Sequence, residues 1–194
     1  MLASVKLGGG AWQTSHELYR LAAGALVAEA ALGRVVFVDA GRLRPGPFVG
    51  EGALERLSSE VESQAKPRKV THWLEETAPW AQYVIGEELA SAGVARLVSK
   101  RFLRVFLPQP YLEILDLPAQ EEAYRLVRET LLGSHPALPE AALLVVLAGS
   151  RRYHVHMKQR HARGRFRELQ ASLPDDVQDV LEAYQKWRSH GAPE

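Results

Sequence analysis

Twice in this 194-residue chain an Ala/Leu-rich helical pattern stops at a glycine and runs straight into a β-branched extended segment, over Leu18 to Arg44 and again over Ile85 to Phe106. Such a unit leaves few folding options, because each helix must bury its apolar stripe and each hairpin must lie against the helix end from which it emerges. In the first copy Leu18, Leu21, Ala22, Ala25, Leu26, Glu29 and Leu32 recur at helical spacing, and Gly33 follows where a helix C-cap needs a left-handed backbone. Val35-Val36-Phe37-Val38 then turns at Asp39-Ala40-Gly41 into Arg42-Leu43-Arg44, which predicts a hairpin. In the second copy Ile85, Leu89 and Ala92 form the helical face and Gly93 ends it. Val94-Ala95-Arg96-Leu97-Val98 is expected to pair with Phe102-Leu103-Arg104-Val105-Phe106 across Ser99-Lys100-Arg101.

Around these units the remaining signals predict helices. Thr14 with Glu17 three residues on has the capping-box arrangement, which sets the start of the domain at 14 and leaves 1–13, with Gly8-Gly9-Gly10, as a flexible lead. Leu54, Leu57 and Val61 predict a second helix ending near Gln64, and Pro67 is placed in the first turn of a third, with Val70, Trp73 and Leu74 as its apolar side and Pro79 ending or restarting it. Pro108, Pro110 and Pro118 mark a long connection before Ala123, Leu126, Val127, Thr130 and Leu131 resume helical periodicity, closed by Gly133 and Pro136. Ala141 to Ala148 is apolar on nearly every side and is expected to be a buried central helix, and Asp175 to His190 is an amphipathic cover. The expected fold is mainly α: a single compact helical domain over 14–190 around a buried apolar helix, with about eight helices, two β-hairpins and a tail over 191–194.

Composition removes several function classes. No apolar run approaches the roughly 20 residues that span a bilayer. Met1 to Leu7 is too short and too weakly charged for a secretory signal, so a cytoplasmic location is expected. The absence of cysteine excludes disulfides, thiolate metal sites and cysteine nucleophiles. Neither a Gly-x-Ser-x-Gly elbow, a phosphate-binding Gly-rich loop nor a His-Glu-x-x-His pair is present, and the adjacent pairs Glu75-Glu76 and Glu87-Glu88 diverge on a helix. No enzymatic activity and no cofactor is therefore assigned. His154, His156 and His161 lack a companion carboxylate or cysteine at ligand spacing, so no metal is assigned either. Arginine outnumbers lysine 18 to 6 and alanine is abundant, which reads as the codon bias of a GC-rich bacterial genome.

Net charge is only +1, but between Ala141 and Arg167 there is no acidic residue, while Arg151, Arg152, Lys158, Arg160, Arg163, Arg165 and Arg167 supply seven positive charges. Two readings stand: a solvated helical face pairing with carboxylates inside the fold, or a phosphate-contacting surface. The second, joined to the helix-then-hairpin plan, describes a winged-helix-like nucleic-acid binder. Against it, Leu21 to Leu32 carries no charge except Glu29, unlike a recognition helix.

The order of the pieces resembles the Golgi phosphoprotein 3 family. The resemblance rests on Gly24-Ala25-Leu26-Val27-Ala28-Glu29-Ala30-Ala31-Leu32-Gly33-Arg34-Val35, on Pro67-Arg68-Lys69-Val70-Thr71-His72-Trp73-Leu74, on Glu88-Leu89-Ala90-Ser91-Ala92-Gly93-Val94 and on the late apolar Leu143-Leu144-Val145-Val146-Leu147-Ala148. It implies a mostly helical domain that is peripheral at a membrane, reads phosphatidylinositol 4-phosphate head groups, links membrane-protein tails to trafficking coats and performs no catalysis. The family's lipid pocket uses a tryptophan, matched approximately by Trp12, and three arginines whose positions hold Ala23, Pro79 and Gln82 here. Its second hairpin touches the membrane and neighbouring protomers, and has a counterpart in Lys100, Arg101, Phe102 and Arg104. With Trp12 and Arg20 these form the expected lipid-binding set. The expected partners are an anionic phospholipid surface, membrane-protein tails and a second copy of the chain through the second hairpin.

Overall fold

The computed structural model, which describes residues 16–100, 109–133, 136–149 and 160–190, forms the first Ala/Leu-rich segment into helix α1 (His16–Leu32). Leu21, Ala22, Ala23, Leu26, Val27, Ala28, Ala30 and Ala31 are all buried. So many alanines are needed because helices crowd α1 from several sides: α3 (Val70–Ser91), α5 (Pro139–Gly149) and α7 (Asp175–His190) all pack on it. Alanine lets backbones approach without helix-propensity cost. At the crossing with α7 even alanine is too large, for a Cβ on Gly24 would stand 2.6 Å from Cδ2 of the buried Tyr184.

The helix stops at Gly33 as expected, but the left-handed residue that turns the chain is Arg34, at φ +54°, and not Gly33, and the first hairpin follows. Gly33 N–H and Val35 N–H return to the carbonyls of Glu29 and Ala30. Strands β1 (Val36–Asp39) and β2 (Arg42–Pro45) then pair antiparallel, with Val36 opposite Pro45 and Asp39 opposite Arg42. Their turn holds Ala40 and Gly41 at positive φ, as a two-residue hairpin connection requires. Val36 and Leu43 are buried against the helices.

Three expectations around the third helix are corrected. Pro67 does not lie in a first helical turn: Arg68–Lys69 form a short strand β3 on β2, with Arg42 opposite Lys69 and Leu43 opposite Arg68, so the first hairpin is part of a three-stranded sheet. The ladder captures the extended backbone after the proline, and the helix begins only at Val70. Pro79 neither ends nor restarts α3, which runs unbroken for 22 residues. The carbonyl that loses its partner belongs to Glu75, on the same exposed side as the proline and open to solvent. The connection before the next helix is also shorter than expected. Helix α4 (Leu117–Leu132) already begins at Leu117, with Pro118 in its first turn and Asp116 accepting the Ala119 N–H at 2.9 Å.

The second hairpin pairs differently from its expected register. Strand β4 (Ala95–Lys100) joins β5 (Gln109–Ile114), from Ala95 opposite Ile114 to Lys100 opposite Gln109. Phe102 to Phe106 is not its partner. The buried Ala95 and Ile114 fix the register at the ribbon's base, and the Arg96–Glu113 ion pair, 2.6 Å, lies beside them. Pro110 is accommodated because both strands of a two-stranded ribbon have a free edge.

Helix α2 (Ala53–Glu62) lies antiparallel to α3, and α6 (Arg160–Ala171) packs with α4 and α5. Among the described residues there are seven helices and two small antiparallel sheets around α1, α3, α5 and α7. The buried character expected for 141–148 is observed at Ala141, Ala142, Leu143, Val145, Val146 and Leu147.

Candidate membrane-facing surface

Of the six residues expected to meet lipid, the described structure places two. Arg20 lies half-buried on α1, its guanidinium carbon 5.2 Å from the centre of the Trp187 ring and its Nη1 donating to the Arg188 carbonyl at 3.2 Å. This contact ties the start of α1 to the end of α7 and places a cation where the α7 dipole is negative. Lys100 is the last residue of β4 and pairs with Gln109 at the end of the ribbon farthest from the core. Trp12, Arg101, Phe102 and Arg104 lie outside the described residues, as do Thr14 and the basic run from Arg151 to Lys158.

The ribbon has a defined reach. Ala95 and Ile114 are buried at its base, and six residues at about 3.3 Å each carry Lys100 roughly 17–20 Å away. The chain joining Lys100 to Gln109, which contains Arg101, Phe102 and Arg104, departs from and returns to that far end.

The positions matching the family's arginines are differently built. Ala23 is fully buried in α1, Pro79 is exposed on α3 and Gln82 is half-exposed one turn further on. None supplies a cation to a phosphate.

Beside α3 lies a polar groove of about 270 Å³, lined by residues of α2 and α3 including Arg56, Glu60, His72, Trp73, Glu76 and Trp80. Arg56 fills part of it, with its guanidinium carbon 4.1 Å from the Trp80 ring centre and Nε 2.9 Å from Glu60 Oε1. Trp73 closes the floor, and its buried indole N–H has no partner in the described structure. Among the described residues no three His, Asp or Glu side chains converge to hold a metal ion.

Two acidic residues, Glu88 at the other end of α3 and Glu29 on α1, acquire roles that adjacency on a helix does not suggest. Glu88 reaches across to α2 and accepts the Ala53 N–H at 2.7 Å, supplying the N-terminal cap that Gly52 cannot. Glu29, the one charge in the core stretch of α1, stands on its exposed side with a carboxyl that is only partly hydrated. Partial loss of hydration raises its pKa above the ordinary carboxylate range, and the Glu88 charge acts in the same direction.

The basic helix α6 divides between the two readings. Arg165 is largely buried, with a side chain 12% exposed, and contacts Glu168 at 3.3 Å and the Thr130 carbonyl at 3.4 Å, so it serves the fold. Arg163 and Arg167 face solvent. Helix α1, packed on several sides, offers no row of cations to a nucleic-acid groove.

No helix among the described residues is long and apolar enough to cross a membrane. A search of curated proteins finds no match to the chain. A family model described as Golgi phosphoprotein 3 (GPP34) matches residues 7–184.

Proposed function

The chain belongs to the Golgi phosphoprotein 3 family, and on that premise we propose that it is a peripheral membrane-binding module that docks from the cytoplasmic side on anionic phospholipid. The family is not a known enzyme family, and the reading assigns no reaction. The observation that carries the proposal is the β4–β5 ribbon, which holds Lys100 roughly 17–20 Å from the buried base of the hairpin. Lys100, Arg101 and Arg104 meet lipid phosphates while Phe102 enters the interfacial layer, each cation contributing about 1 kcal/mol near such a surface. Arg20, engaged by Trp187 and the Arg188 carbonyl, positions α1 rather than lipid.

Ala23, Pro79 and Gln82 bring no cation to the family's phosphoinositide positions, which favours recognition of surface charge over recognition of one head group. Vesicle co-sedimentation tests both parts. Phosphatidylcholine vesicles containing phosphatidylserine should retain the protein at low salt, and vesicles carrying phosphatidylinositol 4-phosphate at equal total charge should do no better. Equal retention on neutral and anionic vesicles would sink the membrane reading, and a strong preference for the phosphoinositide would sink the charge-only reading.

A further inference from the structure

The three-stranded sheet of the first hairpin carries a cationic face that its sequence does not reveal, because β3 joins it from 25 residues away. In antiparallel pairs directly opposed side chains share a face. Phe37 is opposite Arg44, Asp39 opposite Arg42, and Arg42 opposite Lys69, so these five side chains occupy the side of the sheet turned away from Val36 and Leu43. At about 4.8 Å between strands, they fall within a patch roughly 10 Å across. Three cations thus face one carboxylate. The Asp39 charge is taken by Arg44 at 2.8 Å, and Arg42 is held flat by donating to the Pro67 carbonyl at 2.8 Å. Exposed Lys66 lies three residues before Lys69, whereas Arg68, opposite Leu43, belongs to the other side of the sheet, and Phe37 stands among the cations of this face at 38% exposure.

We propose that this face is a second docking surface for an anionic phospholipid bilayer, separate from the second hairpin. The inference rests on the membrane-binding reading and adds a location to it. Charge complementarity identifies the occupant: a flat sheet face with cations around a partly exposed aromatic ring matches the phosphate and interfacial layers of a charged bilayer. A nucleic-acid backbone fits less well, since the short span of the patch meets few successive phosphates. The two surfaces spring from opposite ends of α3. Lys69 precedes the first residue of α3 and β4 follows its last turn, so the points at which the first sheet and the ribbon join α3 lie about 33 Å apart.

The test uses the full chain and phosphatidylcholine vesicles with and without phosphatidylserine. The double variant Lys66→Gln, Lys69→Gln leaves the Arg42 and Arg44 contacts in place, and a second variant, Phe37→Ser, probes the ring. A third, Lys100→Gln with Arg101→Gln and Arg104→Gln, reports on the hairpin. Circular dichroism melts establish that each variant is folded. The proposal expects the sheet double variant to lose about tenfold in partitioning to anionic vesicles at low salt, with Phe37→Ser also weakened. If only the hairpin variant loses binding, the sheet proposal is overturned while the membrane reading stands. If the unmodified chain ignores anionic vesicles, the membrane reading itself fails. Loss of duplex DNA binding in the sheet variant, with vesicle binding unchanged, would reassign the face to nucleic acid and overturn the proposal.

Discussion

The Glu88 carboxylate caps helix α2 by accepting the Ala53 N–H at 2.7 Å, across 35 residues of sequence. The N-cap position itself is Gly52, at φ +58°, and a Cβ there would stand against the same carboxylate oxygen. Gly52 therefore provides both the left-handed turn and the space for a foreign cap. Glu88→Ala should cost about 1 kcal/mol, the usual worth of an N-cap, with Glu88→Gln losing less because an amide oxygen still accepts. Gly52→Ala should be worse than either, since it strains the backbone and displaces the cap together. Chemical denaturation of the three variants checks the order; Gly52→Ala melting like the unmodified chain would refute it.

A second glycine is fixed by packing rather than by backbone angle. In an open helix Gly24→Ala would gain up to about 1 kcal/mol from propensity. Here the added methyl would meet the Tyr184 ring at 2.6 Å, and Tyr184 is itself only 2% exposed and fixed between helices. Overpacking of this kind typically costs about 1–3 kcal/mol, so the net effect should be a loss of stability. The double variant Gly24→Ala, Tyr184→Leu should recover part of it. A rise in melting temperature for Gly24→Ala alone would mean that α1 and α7 separate more freely than their contact implies.

These two glycines also mark where the sequence was and was not readable. Helices α1, α5 and α7 followed from period and apolar content, because their burial is written in their own residues. The Glu88 cap was invisible, since capping signatures are local and this one is supplied from the far end of another helix. Strand β3 is two residues long and has no alternation to detect. The partner of β4 was misassigned because Phe102 to Phe106 has higher β-propensity than Gln109–Ile114, which contains a proline; the buried pairing of Ala95 with Ile114 decided the matter. For the same reason the cations of the first sheet looked unrelated until the register brought Arg42 beside Lys69. The family's lipid positions could be compared from sequence alone, whereas the role of Arg20 depends on where α7 ends.

That role is testable. Arg20→Gln removes the cation above Trp187 and the bond from Nη1 to the Arg188 carbonyl. The contact is half-buried, so the loss should be about 0.5–1 kcal/mol of stability, with partitioning to anionic vesicles unchanged. Trp187→Leu should produce a similar loss, and the two together should be less than additive because they break one contact. If Arg20→Gln instead weakens vesicle binding while melting normally, Arg20 belongs to the lipid surface.

The raised pKa of Glu29 gives stability a pH dependence of definite sign. Its carboxyl is partly dehydrated and feels the Glu88 charge, so the folded chain holds the proton to a higher pH than the unfolded chain does. Between the ordinary value of 4.5 and the raised folded value, the native state therefore binds more protons, and stability falls as pH rises through that window before levelling off. Glu29→Gln removes the titration. The variant should melt higher than the unmodified chain at pH 7, and the advantage should vanish below pH 4.5, where both chains carry a neutral group at this position. The gain is modest because Glu29 keeps an exposed edge. A coupled measurement separates the two causes: in Glu88→Gln the Glu29 carboxyl, followed by NMR titration, should move down toward the ordinary range without reaching it, since burial is the larger contribution. An unchanged titration in that variant would remove Glu88 from the account, and a Glu29→Gln chain less stable at pH 7 would overturn it.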